Sequence, residues 1–308
     1  MPRITVRFNY FRLYLENEED DGLFNFRNLL DYILVQRNNN YSFNVNVADY
    51  GEIDTNAFHF DEQRNMYYFQ ISKLRNENLP GKKRISEPRE DLALEDNEYV
   101  SEFLTLIYDA ENMVAMIQVN RNSLSIKELE IYLTQLRQSW KRENGLEDDD
   151  YFVKCRIVAD PDKLNEVRDA DYIRKIVLNG SRINLDALND DQSLKRISET
   201  IGELQGVNFK LEISVDSNAP RDASLEKENL LEIIDEINGN EIGINTKVAI
   251  KEDLNTSVEL VDLVQPRMTD IIRVEHENRR NIGVEYLYNT FMNDVYIEKR
   301  ERVRRLLN

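Results

Sequence analysis

An α+β chain of two domains, with mixed or antiparallel sheets and a long C-terminal helix, is the fold this sequence predicts. Three observations carry that expectation. Two apolar runs, Phe103 to Tyr108 and Met113 to Val119, are separated by Asp-Ala-Glu-Asn, which is the pattern of a central hairpin over 100–120. A helix signal follows directly: Ser125 and Glu128 stand at capping-box spacing, Leu124 and Leu129 at staple positions, and Ile126, Leu129, Leu133, Leu136 and Trp140 fall on one stripe. Beyond residue 145 short strand and helix patterns alternate until a last stretch of helical period.

The first domain is expected over 1–144. Ile4 to Leu15 alternates apolar and polar residues, the mark of a half-buried strand, and the acidic run Glu16 to Asp21 ends it as a solvated loop. Leu23, Phe26, Leu29, Leu30, Ile33 and Leu34 space a helical face. Tyr41 to Tyr50, Ala57 to Phe60 and Met66 to Ser72 read as strands. Residues 73–89 differ in kind, holding Lys73, Arg75, Lys82, Lys83, Arg84 and Arg89 against Glu77 and Glu87, a local +4. Asn78-Leu-Pro-Gly81 and Pro88 break regular structure there, so a long basic loop is expected.

Gly145 to Asp150 is charged and aperiodic, the composition of a linker, and a second α+β domain is expected over 150–308. Its pattern predicts strands at Tyr151 to Val158, Tyr172 to Leu178, Val207 to Val215, Ile242 to Ile250 and Val258 to Val264, the last two as an antiparallel pair. Helices are expected from Asp160 to Arg168 with Pro161 in the first turn, from Leu194 to Leu204, and from a Ser224 cap to Ile237. Met268 to Glu275 fits strand and helix equally. A terminal helix is expected from about Glu275 to Leu306, ending Lys299-Arg-Glu-Arg-Val-Arg-Arg305.

Composition narrows the function classes. The formal charge is −18, from 58 acidic against 40 basic residues, so any grip on a polyanion needs a segregated basic surface. Cys155 is the only cysteine, which excludes an intrachain disulfide and suits a reducing, cytoplasmic setting. The longest uninterrupted apolar run, Met113 to Ile117, is far short of the ~20 residues of a membrane helix, so no membrane insertion is expected. Phosphate-loop, dinucleotide and nucleophile-elbow motifs are absent. His59 and His276, the only histidines, lack metal-ligand spacing, and no metal or other cofactor is expected.

What remains is cationic. Lys73, Arg75, Lys82, Lys83 and Arg84 on the loop, with Arg279 and Arg280 before the terminal helix, are the candidate nucleic-acid-binding residues, because lysine and arginine on a loop can follow a phosphate backbone without reading sequence. Tyr67, Tyr68 and Phe69 beside the loop could stack bases, although strand aromatics usually pack a core. No catalytic residue is assigned.

The break after Tyr67-Tyr-Phe-Gln-Ile-Ser-Lys73, the hairpin Phe103 to Val119 followed by Ser125-Ile-Lys-Glu-Leu-Glu-Ile-Tyr132, and the ending Gly283-Val-Glu-Tyr-Leu-Tyr-Asn-Thr-Phe-Met-Asn-Asp-Val-Tyr296 resemble, in order and spacing, the RexA-type proteins of phage exclusion and the DNA-binding subunit of the Kiwa antiphage system. The resemblance implies a bacterial antiviral-defence protein, a homodimer that binds DNA with little sequence preference, and a non-enzymatic role is the leading expectation. The acidic total leaves two other expectations open: a protein-interaction subunit, including a mimic of DNA, and a metal-dependent effector nuclease.

Overall fold

Residues 3–37, 43–47, 50–77, 79–181, 194–216, 218–239, 244–251, 258–263, 266–275 and 281–307 are described by the computed structural model. The chain divides into two units, one of Met1–Val158 with Met268–Asn308 and one of Ala159–Arg267.

The first unit holds, in chain order, β1 (Arg3–Glu16), β2 (Asp21–Leu23), α1 (Arg27–Gln36), β3 (Asn44–Asn46), β4 (Tyr50–Asp61), β5 (Met66–Arg75), β6 (Val100–Asp109), β7 (Val114–Gln118), α2 (Ile126–Glu143) and β8 (Phe152–Ile157). The second holds α3 (Lys163–Asp169), β9 (Tyr172–Ser181), α4 (Lys195–Glu203), β10 (Asn208–Ser214), α5 (Lys227–Gly239), β11 (Asn245–Lys251) and β12 (Glu259–Asp262). The chain then returns to the first unit with β13 (Thr269–Glu275), α6 (Val284–Phe291), a π-helical turn (Met292–Tyr296) and α7 (Ile297–Leu307).

β1 organises the first unit because its alternation serves two cores in succession. Val6, Phe8 and Tyr10 belong to the core on one face, whereas Phe11, Leu13 and Leu15 belong to the core on the other. One edge of β1 pairs with β13 along Arg3 to Asn9 and then with β8 along Phe11 to Glu16. The opposite edge pairs with β7 and then β2, and the sheet continues β7-β6-β5-β4-β3. All of these pairings are antiparallel.

Each face of this sheet is covered. Leu29, Leu30 and Ile33 of α1 and Leu129, Tyr132, Leu133 and Leu136 of α2 pack on Phe69, Leu106 and Tyr108. Leu287, Phe291, Tyr296 and Val303 of the terminal segment pack on Phe8, Ile107, Met116 and Ile272. The two-sided apolar character of the central hairpin is the sequence trace of this sandwich, since Leu106 and Ile107, or Met116 and Ile117, go to opposite layers. Each fully buried large side chain contributes roughly 1.5–3 kcal/mol.

α2 stands directly on β4. The Tyr132 hydroxyl donates to the Phe43 carbonyl at 2.7 Å and accepts the Ile53 amide at 3.1 Å. Its ring lies so close to Gly51 that a Cβ there would meet Cδ2 at 2.7 Å. The second unit is a four-stranded antiparallel sheet in the order β10-β9-β11-β12. Ile173, Ile176 and Leu178 of β9 and Val248 of β11 meet Leu230, Ile234 and Ile237 of α5 in its core.

The α+β class holds, and the sheets are antiparallel. The domain limits expected at 144 and 150–308 do not hold: β8, β13 and the terminal helix belong with residues 1–144 because β1 uses a whole edge to pair β13 and β8. The terminal helix begins at Val284 rather than near Glu275, which is the last residue of β13. Met268 to Glu275 resolves as that strand. α3 starts at Lys163, past Pro161. α5 starts at Lys227, and Ser224 instead accepts the Ile173 amide at 2.9 Å, tying the helix approach to β9. The expected strand Tyr41 to Tyr50 reduces, within the described residues, to β3 and the first residue of β4, which also absorbs Ala57 to Phe60. Leu23 lies in β2 and α1 opens at Arg27.

Candidate anion-binding cleft

β5 ends at Arg75, and β7 runs into a turn, Asn120 to Ser123, that feeds α2. The turn is fixed by its own side chains. Asn120 Nδ2 donates to the Phe103 carbonyl at 2.7 Å while its Oδ1 accepts the Asn122 amide at 3.1 Å, and Ser123 Oγ donates to the Glu102 carbonyl at 3.1 Å. Arg121 is thereby held opposite the end of β5. Between them opens a cleft of about 560 Å³ with Lys73, Arg75 and Arg121 among its walls.

Three cations and two carboxylates, Glu77 and Glu128, line the cleft, a local +1 in a chain of −18. Lys73 Nζ donates to Glu128 Oε1 at 2.7 Å. Burial works against ionisation of Glu128, but the bonds from Lys73 and from the Ser125 amide outweigh it and hold the carboxyl below its ordinary value. The two arginines are placed differently. Arg75 Nε is buried without a hydrogen-bond partner, and neither Arg75 nor Arg121 has a carboxylate within ion-pair distance among the described residues. A buried N–H left unpaired costs about 1–3 kcal/mol. The helix end is not the receptor, because the Glu128 amide already donates to Ser125 Oγ at 3.3 Å in the reciprocal capping box.

The loop predicted to be the basic handhold is different in charge from its sequence count. Lys82 and Glu90 form an antiparallel bridge that folds the acidic segment 90–98 back along the basic one. Counted over 73–98, six basic residues meet seven acidic ones, a net of −1. Lys82 lies 3.2 Å from Glu90, Arg84 3.7 Å from Glu87 and Arg89 3.8 Å from Asp91. Lys83, like Arg75, has no carboxylate partner among the described residues. Arg279 and Arg280 lie outside the described residues.

The structure therefore brings Lys73 and Arg75 together with Arg121, and separates them from the exposed pairs at Lys82 and Arg84. Sequence reasoning missed Arg121; its signal was an arginine between two turn-forming asparagines immediately before a capping box. The aromatic candidates are not free to stack bases. Tyr67 and Phe69 are fully buried, and Tyr68 stacks on Tyr288 with ring centroids 3.9 Å apart.

The buried carboxylates elsewhere are occupied. Asp109 accepts from Tyr296 Oη at 2.7 Å, Arg300 Nε at 2.8 Å and Asn112 Nδ2 at 2.9 Å. Asp270 accepts from Tyr10 Oη at 2.6 Å and from Lys299, and Asp61 from Tyr288 Oη at 2.8 Å and Arg64 at 2.8 Å. Through Tyr288, Tyr296, Lys299 and Arg300 these bonds fasten the terminal segment to the sheet, and they use two of the five cations that the sequence places at its end. Among the described residues no three His, Cys, Asp or Glu side chains are grouped to hold a metal ion, and no helix is long and apolar enough to cross a membrane.

With this geometry in place, the comparison with known families has one result: the chain belongs to a family of unknown function, DUF6731, whose model matches residues 1–304. Comparison with curated proteins finds no match.

Proposed function

We propose that this member of the family is a non-enzymatic binding protein that takes phosphate groups of a nucleic acid, with little sequence preference, in the cleft of Lys73, Arg75 and Arg121. The supporting observation is the convergence on a single cleft of two arginines, Arg75 and Arg121, that have no carboxylate within ion-pair distance among the described residues. Guanidinium groups match phosphate oxygens in a forked geometry, and surrounding negative potential focuses a polyanion onto a positive opening. Lys82, Lys83 and Arg84 play a secondary part, since exposed pairs at 3.2–3.7 Å are weak enough for a phosphate to displace the carboxylate. DNA as the ligand, a homodimer and service in antiphage defence rest on the resemblance to the RexA-type and Kiwa proteins.

The test is fluorescence anisotropy with labelled duplex and single-stranded DNA at ~50 and ~200 mM salt. Two or three phosphate contacts give a slope of log K against log salt of about −2. Arg75→Ala with Arg121→Ala removes most of the affinity, while Lys82→Glu with Lys83→Glu weakens it less. No binding at ~50 mM salt and micromolar protein sinks the reading.

A second reading has its own observation. The return arm of the loop exposes Glu90, Asp91, Glu95, Asp96 and Glu98 together, a surface suited to a basic protein partner or to mimicry of DNA. Co-purification with a basic nucleic-acid enzyme that survives Arg75→Ala and Arg121→Ala would favour it.

A further inference from the structure

The turn carrying Arg121 lines a second, smaller cavity of about 140 Å³. Its walls are mixed: Phe11, Ile117 and Leu124 are buried there, Val119 and Ile126 add apolar surface, and Asn9 and Gln118 add polar groups. Asn120, Arg121 and Ser125 line both cavities, so the basic cleft and the smaller pocket adjoin at one turn. Volume selects what the pocket can take. A cavity of about 150 Å³ walled by Leu, Ile and Phe accepts one benzene-sized ring. The pocket is open on one side, so a single ring fits inside it whereas a fused two-ring system projects from it.

We infer that the two cavities together seat one nucleotide, its phosphate against Arg75 and Arg121 and a one-ring, pyrimidine base in the pocket. This rests on the reading of the cleft as a phosphate site and makes its ligand more specific. A base inside a duplex is paired and stacked, so the pocket takes either a free pyrimidine nucleoside monophosphate or the phosphorylated end of a strand. Phe11 and Ile117 give the ring apolar contact on strands β1 and β7, which are anchored on both sides and need no rearrangement. The phosphate supplies charge and the ring supplies discrimination, the usual division in small-molecule sites.

Calorimetry on the full chain with CMP, AMP, cytidine and inorganic phosphate tests this, beside anisotropy with 5′-phosphorylated and 5′-hydroxyl pyrimidine oligonucleotides. CMP is expected to bind at least tenfold more tightly than inorganic phosphate and severalfold more tightly than AMP. Val119→Trp enlarges a pocket-lining side chain at a position that is 46% exposed. That variant should abolish the advantage of CMP while leaving inorganic phosphate unchanged, and Arg121→Ala should weaken both. A preference for the 5′-phosphorylated oligonucleotide identifies a strand end as the source, and tight CMP binding without that preference identifies the free nucleotide. CMP binding no tighter than phosphate overturns the inference. If Arg75→Ala with Arg121→Ala then still lowers DNA affinity, the cleft reading stands without it; if the double variant leaves both DNA and CMP binding intact, both fail.

Discussion

Lys82 and Glu90 are joined twice. Their backbones exchange amide-to-carbonyl bonds of 3.0 and 2.9 Å, and their side chains meet at 3.2 Å. The bridge decides what the loop presents, since a basic segment held along an acidic one is close to neutral from outside. A solvated ion pair is worth little energy, so the effect lies in the local field more than in stability.

Neutralising the return arm should therefore unmask the loop. Glu90→Gln with Asp91→Asn is expected to raise DNA affinity about tenfold at low salt, less at ~200 mM, because each freed cation can contact a phosphate. Anisotropy titrations read this, and unchanged affinity would show that the loop takes no part.

Arg300 is the principal counterion of fully buried Asp109. Breaking such a pair from one side leaves an uncompensated charge, and about 3 kcal/mol is expected for Arg300→Ala, the lower end for buried pairs because Arg300 is itself partly exposed. Chemical denaturation measures it. Arg300→Ala with Asp109→Asn should recover part of the loss, which simple loss of packing would not allow.

Asp149 predicts an acid limb. Its carboxyl lies well below the ordinary value, first because Arg137 bonds it at 2.6 Å and then because Lys141 does at 2.7 Å, against the opposing effect of burial. A carboxyl lowered on folding contributes stability above its unfolded pKa of about 4, and that contribution is lost as pH falls through the folded value. Asp149→Asn should lower the melting temperature at pH 7, and the gap to the wild type should begin to narrow below about pH 4 and close only as pH falls through the folded value. Parallel curves down to pH 3 would show that the pair does not drive the acid limb.

Tyr132 and Gly51 form a fitted contact. Gly51→Ala forces a Cβ into the ring and should cost about 1–3 kcal/mol. Tyr132→Phe leaves the Ile53 amide and Phe43 carbonyl without their shared partner and should cost about the same. In the double variant the costs should not add, since both act on one ring.

Much of this architecture was legible in local pattern. The hairpin, the capping box at Ser125 and Glu128, and the staple of Leu124 and Leu129 all depend on neighbours within a few residues, and all are present. The partners of β1 were not legible, because pairing Arg3 with Glu275 is a contact across almost the whole chain. The candidate site failed for a related reason. A charge count over 73–89 stops one residue before Glu90, and nothing local shows that the chain folds back. Arg121 and Arg75 are remote in sequence and meet only because β6 separates their strands by one position in the sheet.

The second unit is an insertion between β8 and β13, and this orders events on the ribosome. Residues 159–267 must be made before β13 and the terminal helix emerge, so the growing chain carries Phe8, Ile107 and Met116 uncovered throughout that interval. A nascent chain in that condition is an aggregation hazard, and premature termination between residues 158 and 268 should yield an insoluble fragment.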